Sequence, residues 1–179
     1  AQIPVLLEVL AALGLATAGA EGFEANDVIA TLAARDGAPC EIVTGDRDLF
    51  ALITDRVRVL YTGKGVAKLE DLGPAEVLAR YGIEAPRYAD YAVLRGDPSD
   101  GLPGVTGVGD KTAAALVSRF GTVEEILVAA DQGADGFPAG AAAKVRAARD
   151  YLTRAPDVVR GRLDVPLPEI TDALPPTAA

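Results

Sequence analysis

The sequence predicts an α/β fold, in which a largely parallel sheet is followed by a helical region and an irregular tail. Helix-like and strand-like segments alternate over residues 1–68, an order typical of a parallel sheet. Residues 69–155 show helical patterns without an evident strand, and prolines are frequent from residue 156 onward. We therefore expect three parts, with the bounds 1–68, 69–155 and 156–179.

The first part contains two amphipathic helices, over residues 4–13 and 25–34, because apolar side chains recur there at helical spacing. Residues 41–44 are β-rich, and residues 56–61 alternate charged and apolar side chains, so both segments predict strands. The segment between them, 47–53, predicts a helix. A crossover of this kind indicates that the two strands are parallel.

The second part begins with two helices that each open on a proline, a residue suited to the first helical turn. A loop rich in Gly and Asp follows them over residues 96–109, and further helices come after it. The helices predicted for this part cover residues 74–81, 86–94, 111–120, 123–130 and 139–153.

Composition limits the chemistry that the chain can perform. It has 26 acidic and 17 basic residues, a formal charge of −9, no histidine and one cysteine, Cys40. The absence of histidine therefore excludes catalytic triads that need it. A single cysteine excludes an internal disulfide and zinc sites with several cysteines. The remaining oxygen ligands favour Mg²⁺ or Mn²⁺ if a metal is used. The apolar segment 3–15 is too short to span a bilayer, so we expect a cytoplasmic protein without membrane contact.

Three acidic clusters are candidate metal sites, although helix capping or a tight turn also explains each of them when taken alone, and capping is the favoured interpretation of the first. Together they are more specific, because clustered carboxylates repel one another unless cations neutralise them, as in two-metal phosphoryl-transfer sites. The second cluster also follows a predicted strand, where ligands bind in open α/β sheets. The clusters are Glu24, Asn26 and Asp27; Asp46 and Asp48; and Asp97 and Asp100.

A Gly-rich segment, 104–109, precedes the helix predicted to start at Lys111. Backbone N–H groups of such a turn, and the positive end of the helix dipole, bind phosphate. Lys111 and Thr112 add donors in the first turn. A Walker loop is rejected because Asp110 separates Gly109 from Lys111. A tight turn between helices that binds nothing is the alternative.

Basic side chains concentrate near this segment despite the acidic total. Arg119 follows on the same predicted helix, and Lys144 and Arg146 lie on a later helix. We expect these residues to contact DNA phosphates, with an affinity that falls steeply as salt rises. A solvated helix face is the alternative interpretation.

Four motifs in order resemble the signatures of bacterial 5′ nucleases, the flap-endonuclease-like enzymes related to the 5′→3′ exonuclease domain of DNA polymerase I. The resemblance spans roughly residues 2–155. It implies part of a Rossmann-like (PIN-like) nuclease core followed by an all-helical helix–three-turn–helix module. It also implies hydrolysis of branched or 5′-ended duplex DNA with two Mg²⁺ or Mn²⁺ ions. The motifs are FEANDVIATL (23–32), TGDRDL (44–49), RGDPSD (95–100) and GVTGVGDK (104–111).

The resemblance assigns roles to individual residues. Glu24 and Asn26 would line one metal, to which Asp27 would reach through water. Asp46 would be shared, and Asp48, Asp97 and Asp100 would line the second metal. The five acids Glu24, Asp46, Asp48, Asp97 and Asp100 form the implied catalytic set. The hairpin with Gly104, Gly107 and Gly109 would grip duplex phosphates, in relatives through a K⁺ ion, here on the carbonyls of Gly104, Val105 and Val108.

Two departures bear on activity. Family members usually carry an acid where Asn26 stands, and an amide contributes no charge. The family core also has an upstream segment, with a metal-binding Asp and a cationic gateway, before the position that matches Ala1. We therefore expect a fragment with weak or no activity alone, and favour a monomer. The alternatives are a non-catalytic DNA-binding module and, less favoured, a toxin-type RNase of a related fold.

Overall fold

The computed structural model describes residues 2–35, 37–98 and 101–170. These residues contain α-helices, three strands and short 3₁₀ helices. The chain divides into two compact units, one formed by residues 35–161 and the other by the segments that flank it. Among the described residues, no helix is both long enough and apolar enough to cross a membrane.

The flanking unit is built on two helices, α1 (Ile3–Ala12) and α2 (Ala25–Ala34), as the periodicity predicts. None of the α1 side chains is buried. The later segment of the unit is tied to α2 by Thr31, whose hydroxyl donates to the carbonyl oxygen of Arg162 at 3.0 Å. The hydroxyl oxygen of Thr31 in turn accepts the backbone N–H of Val165 at 3.2 Å. One buried threonine therefore joins segments more than 130 residues apart in sequence.

The unit of residues 35–161 begins with the predicted parallel pair, β1 (Cys40–Thr44) and β2 (Val57–Tyr61), in which Ile42 lies opposite Val59. A third strand, β3 (Glu70–Leu72), pairs antiparallel with β2. The expectation of no strand after residue 68 is therefore wrong. Acidic Glu70 and Asp71 have low strand propensity, and the strand forms because it pairs with β2 and because Arg58 pairs with Asp71 at 2.7 Å.

The segment between β1 and β2 is a 3₁₀ helix, Asp48–Leu52, rather than the α-helix predicted for residues 47–53. Phe50 N–H donates to the carbonyl of Arg47, and Ile53 N–H donates to that of Phe50, so the bonds join residues three apart. Leu49 and Phe50, two residues of this 3₁₀ helix, are buried. This short turn sets where Asp46 and Asp48 lie.

The helical part that follows packs around a central helix, α4 (Tyr88–Arg95), of which every residue from Tyr88 to Leu94 is buried. Its apolar contacts are typical of a helix at the centre of a core. Around it lie α5, α6 and α8, while α3 comes before it and α7 packs on α6. The bounds are α3 (Pro74–Tyr81), α5 (Asp110–Phe120), α6 (Val123–Gln132), α7 (Ala141–Ala147) and α8 (Arg149–Val159).

Two further expectations are corrected here. The single helix predicted over residues 139–153 is two helices, because Ala148 has φ −94° and ψ 13° and interrupts the helix. Residues 156–159, predicted to be irregular, are helical, since α8 continues through Pro156 to Val159. Pro156 is buried together with Leu152 and Val159, which share its helix face. Packing of this face thus outweighs the hydrogen bond that proline cannot make.

Candidate functional site

The turn at the carboxyl end of β1 carries Asp46 and Asp48, both half-buried. The N–H of Asp46 donates to the Thr44 hydroxyl at 3.0 Å, and the N–H of Asp48 donates to Asp46 Oδ1 at 3.0 Å. One carboxylate oxygen of Asp46 therefore orders the turn into the 3₁₀ helix. Asp46 thus accepts a backbone N–H at the start of the 3₁₀ helix. It also lies at a strand end, where ligands bind in α/β sheets.

Asp97 lies just after α4 and is 6% exposed, which is unusual for a carboxylate. Its backbone forms a two-way bridge with Leu102, with N–O distances of 3.0 and 2.9 Å. Two guanidinium groups accompany its side chain: Arg95 donates to Oδ2 at 3.1 Å, and Arg47 lies 3.8 Å from the same oxygen. Because Arg47 stands between Asp46 and Asp48, this ion pair brings that turn next to Asp97.

Arg95 contacts a second acid as well. Its Nε donates to the carbonyl of Gly96 at 3.0 Å and lies 3.9 Å from Oδ1 of Asp110, the first residue of α5. Its guanidinium stands 5.5 Å from the ring centre of Tyr91, whose hydroxyl donates to the same Asp110 oxygen at 3.0 Å. Burial, together with this bond to a carboxylate, raises the pKa of Tyr91 to about 12. Arg95 thus joins the acidic loop to the helix after it.

Sequence analysis did not assign a role to Arg47 or Arg95. Their places in Asp46-Arg47-Asp48 and Arg95-Gly96-Asp97 offered a signal, since a cation among acids forms local ion pairs. The pairing with Asp97 depends on tertiary contacts that the pattern does not reveal. Asp100, assigned to the second metal, lies outside the described residues.

The donor set has the chemistry that a hard divalent cation prefers, because its oxygen atoms belong to carboxylates. Within the part of the chain that the structure describes, no three His, Cys, Asp or Glu side chains are grouped closely enough to hold a metal ion. Arg47, which stands between Asp46 and Asp48 in the sequence, nevertheless pairs with Asp97.

The Gly-rich hairpin follows Asp97 directly and is fixed to α4. Val105 N–H donates to the carbonyl of Leu94 at 2.9 Å, and Val108 N–H donates to that of Val105 at 2.9 Å. Both valines are buried, whereas Gly107 and Gly109 are exposed. A methyl group on Gly104, at φ +69°, would lie 2.5 Å from the carbonyl oxygen of Arg95. Only glycine allows the hairpin to lie this close to the end of α4.

The side chains predicted to bind DNA differ in their exposure and in their contacts with this hairpin. Lys111 is exposed in the first turn of α5, and Thr112 beside it is half-buried. The Lys144 ammonium donates to the carbonyl of Gly107 at 2.8 Å. Arg146 donates to the carbonyl of Ala130, so it ties α7 to α6. Exposed Arg119 lies at the far end of α5, against the ring of Phe120 at 6.0 Å.

The first acidic cluster belongs to the flanking unit. Glu24 is exposed, and Asn26 and Asp27 are half-buried. Asp27 Oδ2 accepts the N–H of Glu24 at 3.2 Å, and Asp27 Oδ1 accepts the N–H of Arg162 at 2.8 Å. The capping interpretation is therefore confirmed for Asp27.

Two family models match the chain. One, the 5′-3′ exonuclease N-terminal resolvase-like domain, matches residues 1–82. The other, the 5′-3′ exonuclease C-terminal SAM fold, matches residues 83–178. Together they confirm the predicted order of a resolvase-like, PIN-like core and a helical region.

Two named relatives are consistent with the match to these family models. A 5′-3′ exonuclease of Mycobacterium tuberculosis is 49% identical over 188 residues, which cover 99% of this chain and 59% of that protein. DNA polymerase I of Mycobacterium bovis is 44% identical over 180 residues, covering 97% of this chain and 19% of the polymerase. The chain thus spans about three fifths of the length of the exonuclease relative.

A solved structure shares the fold. It is the bacteriophage T5 flap endonuclease, in a pseudo-enzyme–product complex with DNA and metal ions. The TM-score is 0.63 at 21% identity, with 77% of this chain and 50% of that one covered.

Proposed function

Because this chain belongs to the 5′-3′ exonuclease family, we propose that it serves the hydrolysis of DNA phosphodiesters in branched or 5′-ended duplexes. One observation carries the proposal: the buried Asp97 and the Gly-rich hairpin form one continuous structure. The bridge from Asp97 to Leu102 and the bond from Val105 to Leu94 fix the carboxylate and the hairpin to the end of the same helix. A cation-binding carboxylate and a phosphate-binding turn are both needed at a scissile phosphate.

The residues that would hold a divalent ion in this unit are Asp46, Asp48 and Asp97, with Asp100 added by the family resemblance. A bound Mg²⁺ or Mn²⁺ ion would supply positive charge for the phosphate and for the attacking water. The chain contributes the fixed positions of the carboxylates: Asp46 is held by the turn after β1, and Asp97 by burial and by its bridge. Arg47 contributes positive charge between them.

Duplex binding in this proposal depends on the hairpin and on the first turn of α5. The exposed residues Gly107 and Gly109, with the Lys111 ammonium, suit a phosphate at a helix N-terminus. A K⁺ ion on the carbonyls of Gly104, Val105 and Val108 belongs to the same proposal. Glu24, Asn26 and Asp27 are retained as proposed ligands of the other metal, and a cytoplasmic location as the place of action.

Mn²⁺ binding to the 179-residue chain, measured by electron paramagnetic resonance, tests the metal-binding part. We expect Asp48→Asn to weaken binding by about tenfold or more, which is about 1.4 kcal/mol of lost ligand energy. Asp157→Asn removes the same charge from an exposed position on α8 and is the control. If Asp48→Asn binds Mn²⁺ as the native chain does, the non-catalytic DNA-binding alternative is the better account.

A further inference from the structure

Arg95 contacts the candidate metal ligand Asp97 more closely than Arg47 does. Its side chain is 19% exposed, against 41% for Arg47, and it lies nearer to Asp97, at 3.1 Å rather than 3.8 Å. Burial strengthens an ion pair by lowering the local dielectric constant. Arg95 therefore neutralises the buried Asp97 carboxylate more strongly than Arg47 does.

A divalent ion binding to Asp97 would compete with this guanidinium. Two cations that approach the same carboxylate oxygen repel each other, and the repulsion is strong in a poorly solvated place. Metal binding at Asp97 must therefore either bear this repulsion or move the guanidinium away. Arg95 is placed so that it can give up its bond to Asp97 and still keep a second acidic partner.

The second partner is Asp110. Its Oδ1 lies 3.9 Å from Nε of Arg95 and accepts the Tyr91 hydroxyl at 3.0 Å. The Tyr91 ring lies 5.5 Å from the guanidinium carbon and stabilises the guanidinium by a cation–π interaction. A small rotation of the Arg95 side chain would exchange its hydrogen bond to Asp97 for one to Asp110.

We propose that Arg95 is an internal cation that neutralises Asp97 until a divalent ion binds, and that it then gives up its hydrogen bond to Asp97 and tightens its existing ion pair with Asp110 into a hydrogen bond. This inference rests on the proposed function, because it takes Asp97 to be a metal ligand. Arg95 acts as a positioning residue, since its contacts here are with protein groups and not with substrate.

The exchange has a consequence for DNA. Asp110 stands at the start of α5, beside Lys111, and its negative charge repels a phosphate at the hairpin. Pairing with Arg95 neutralises that charge. Metal binding at Asp97 then favours duplex binding at the hairpin and, by reciprocity, duplex binding favours the metal.

Mn²⁺ affinity of the 179-residue chain tests the exchange without depending on catalysis. Arg95→Met should bind Mn²⁺ about tenfold more tightly than the native chain, because the competing cation is gone. Arg95→Lys retains the charge and should bind close to native. Arg154→Met removes an exposed arginine from α8 and should not change the affinity.

A second variant covers the case in which Arg95→Met does not fold. Asp110→Asn keeps an oxygen that accepts from Tyr91 but removes the charge that would receive Arg95, so Mn²⁺ binding should weaken several-fold. Equal or weaker binding by a folded Arg95→Met, or native binding by Asp110→Asn, overturns the exchange. If Asp97→Asn binds Mn²⁺ as well as the native chain, the proposed metal site fails and the exchange fails with it. If only the exchange fails, Asp97→Asn still binds Mn²⁺ more weakly than the native chain.

Discussion

The ammonium group of Lys144 donates a hydrogen bond to the carbonyl oxygen of Gly107 at 2.8 Å. This bond joins α7 to the tip of the Gly-rich hairpin, although the two residues are 37 positions apart in sequence. Lys144 therefore has two roles in our account: it holds the hairpin, and it places positive charge beside the exposed hairpin residues that we propose bind DNA.

Duplex affinity should fall when Lys111 and Lys144 are replaced together by alanine. Removing two cations lowers the number of counterions released, so the slope of log affinity against log salt should become shallower by about 1 to 2. Fluorescence anisotropy with a duplex carrying a 5′ overhang measures this. Lys68→Ala, at an exposed site on the 3₁₀ helix Val66–Lys68, is the matched control. Unchanged affinity of the double variant at low salt would refute the hairpin as the DNA contact.

Gly104→Ala should destabilise the chain by about 3 kcal/mol, because the methyl group meets the backbone of Arg95 and Gly96 in addition to the left-handed strain. Urea unfolding measures the loss. Gly82→Ala is the control, since Gly82 has almost the same φ, +70°, but nothing within 4 Å of the added carbon. It should cost only about 1 kcal/mol. Equal losses would mean that the close approach of the hairpin to α4 is not tight.

Arg160→Met should lower the stability at neutral pH by about 1 to 2 kcal/mol, or roughly 3 to 6 °C in Tm. Arg160 joins buried Asp90, at 2.7 Å, to the partly exposed Glu124, at 2.9 Å. Its hydrogen bonds lower the pKa of Glu124 from 4.5 to about 2. A depressed carboxyl pKa stabilises the fold above the ordinary value of 4.5, and this stabilisation is lost as pH falls towards 2.

The Tm difference between the native chain and Arg160→Met should therefore be largest near pH 7 and should shrink between pH 4.5 and 2. Arg154→Met, on the exposed side of the same helix, controls for loss of charge. A Tm difference that stays constant over this pH range would show that the pair with Glu124 contributes nothing.

Local sequence patterns predicted much of the fold. The helix predicted over residues 25–34 has those bounds in the structure, and the strands predicted over 41–44 and 56–61 pair in parallel as expected. Their signals are apolar periodicity and β-branched residues, which act within a few positions. β3 and the continuation of α8 through Pro156 depend on neighbours far away in sequence, so local propensity predicts them wrongly.

The candidate site, like the fold, was predicted only where the signal is local in sequence. Motif spacing identified Asp46, Asp48 and Asp97, but their roles as metal ligands stay predictions, as do the bounds 1–68, 69–155 and 156–179. The ion pairs of Arg47 and Arg95 arise where the end of α4 meets the turn after β1, and spacing carries no information on that contact. Lys144 was predicted from charge alone, which does not reveal its bond to Gly107.

Cleavage of a 5′-flap duplex by Asn26→Asp in Mn²⁺ tests the central claim, that the carboxylates of this chain serve phosphodiester hydrolysis. An amide oxygen at residue 26 contributes no charge to the metal that it is proposed to line, so the native chain should cleave poorly. We expect Asn26→Asp to raise the rate of release of 5′ products by about tenfold, and Asp97→Asn in the same background to abolish it. An unchanged rate, or cleavage that survives Asp97→Asn, would contradict the account.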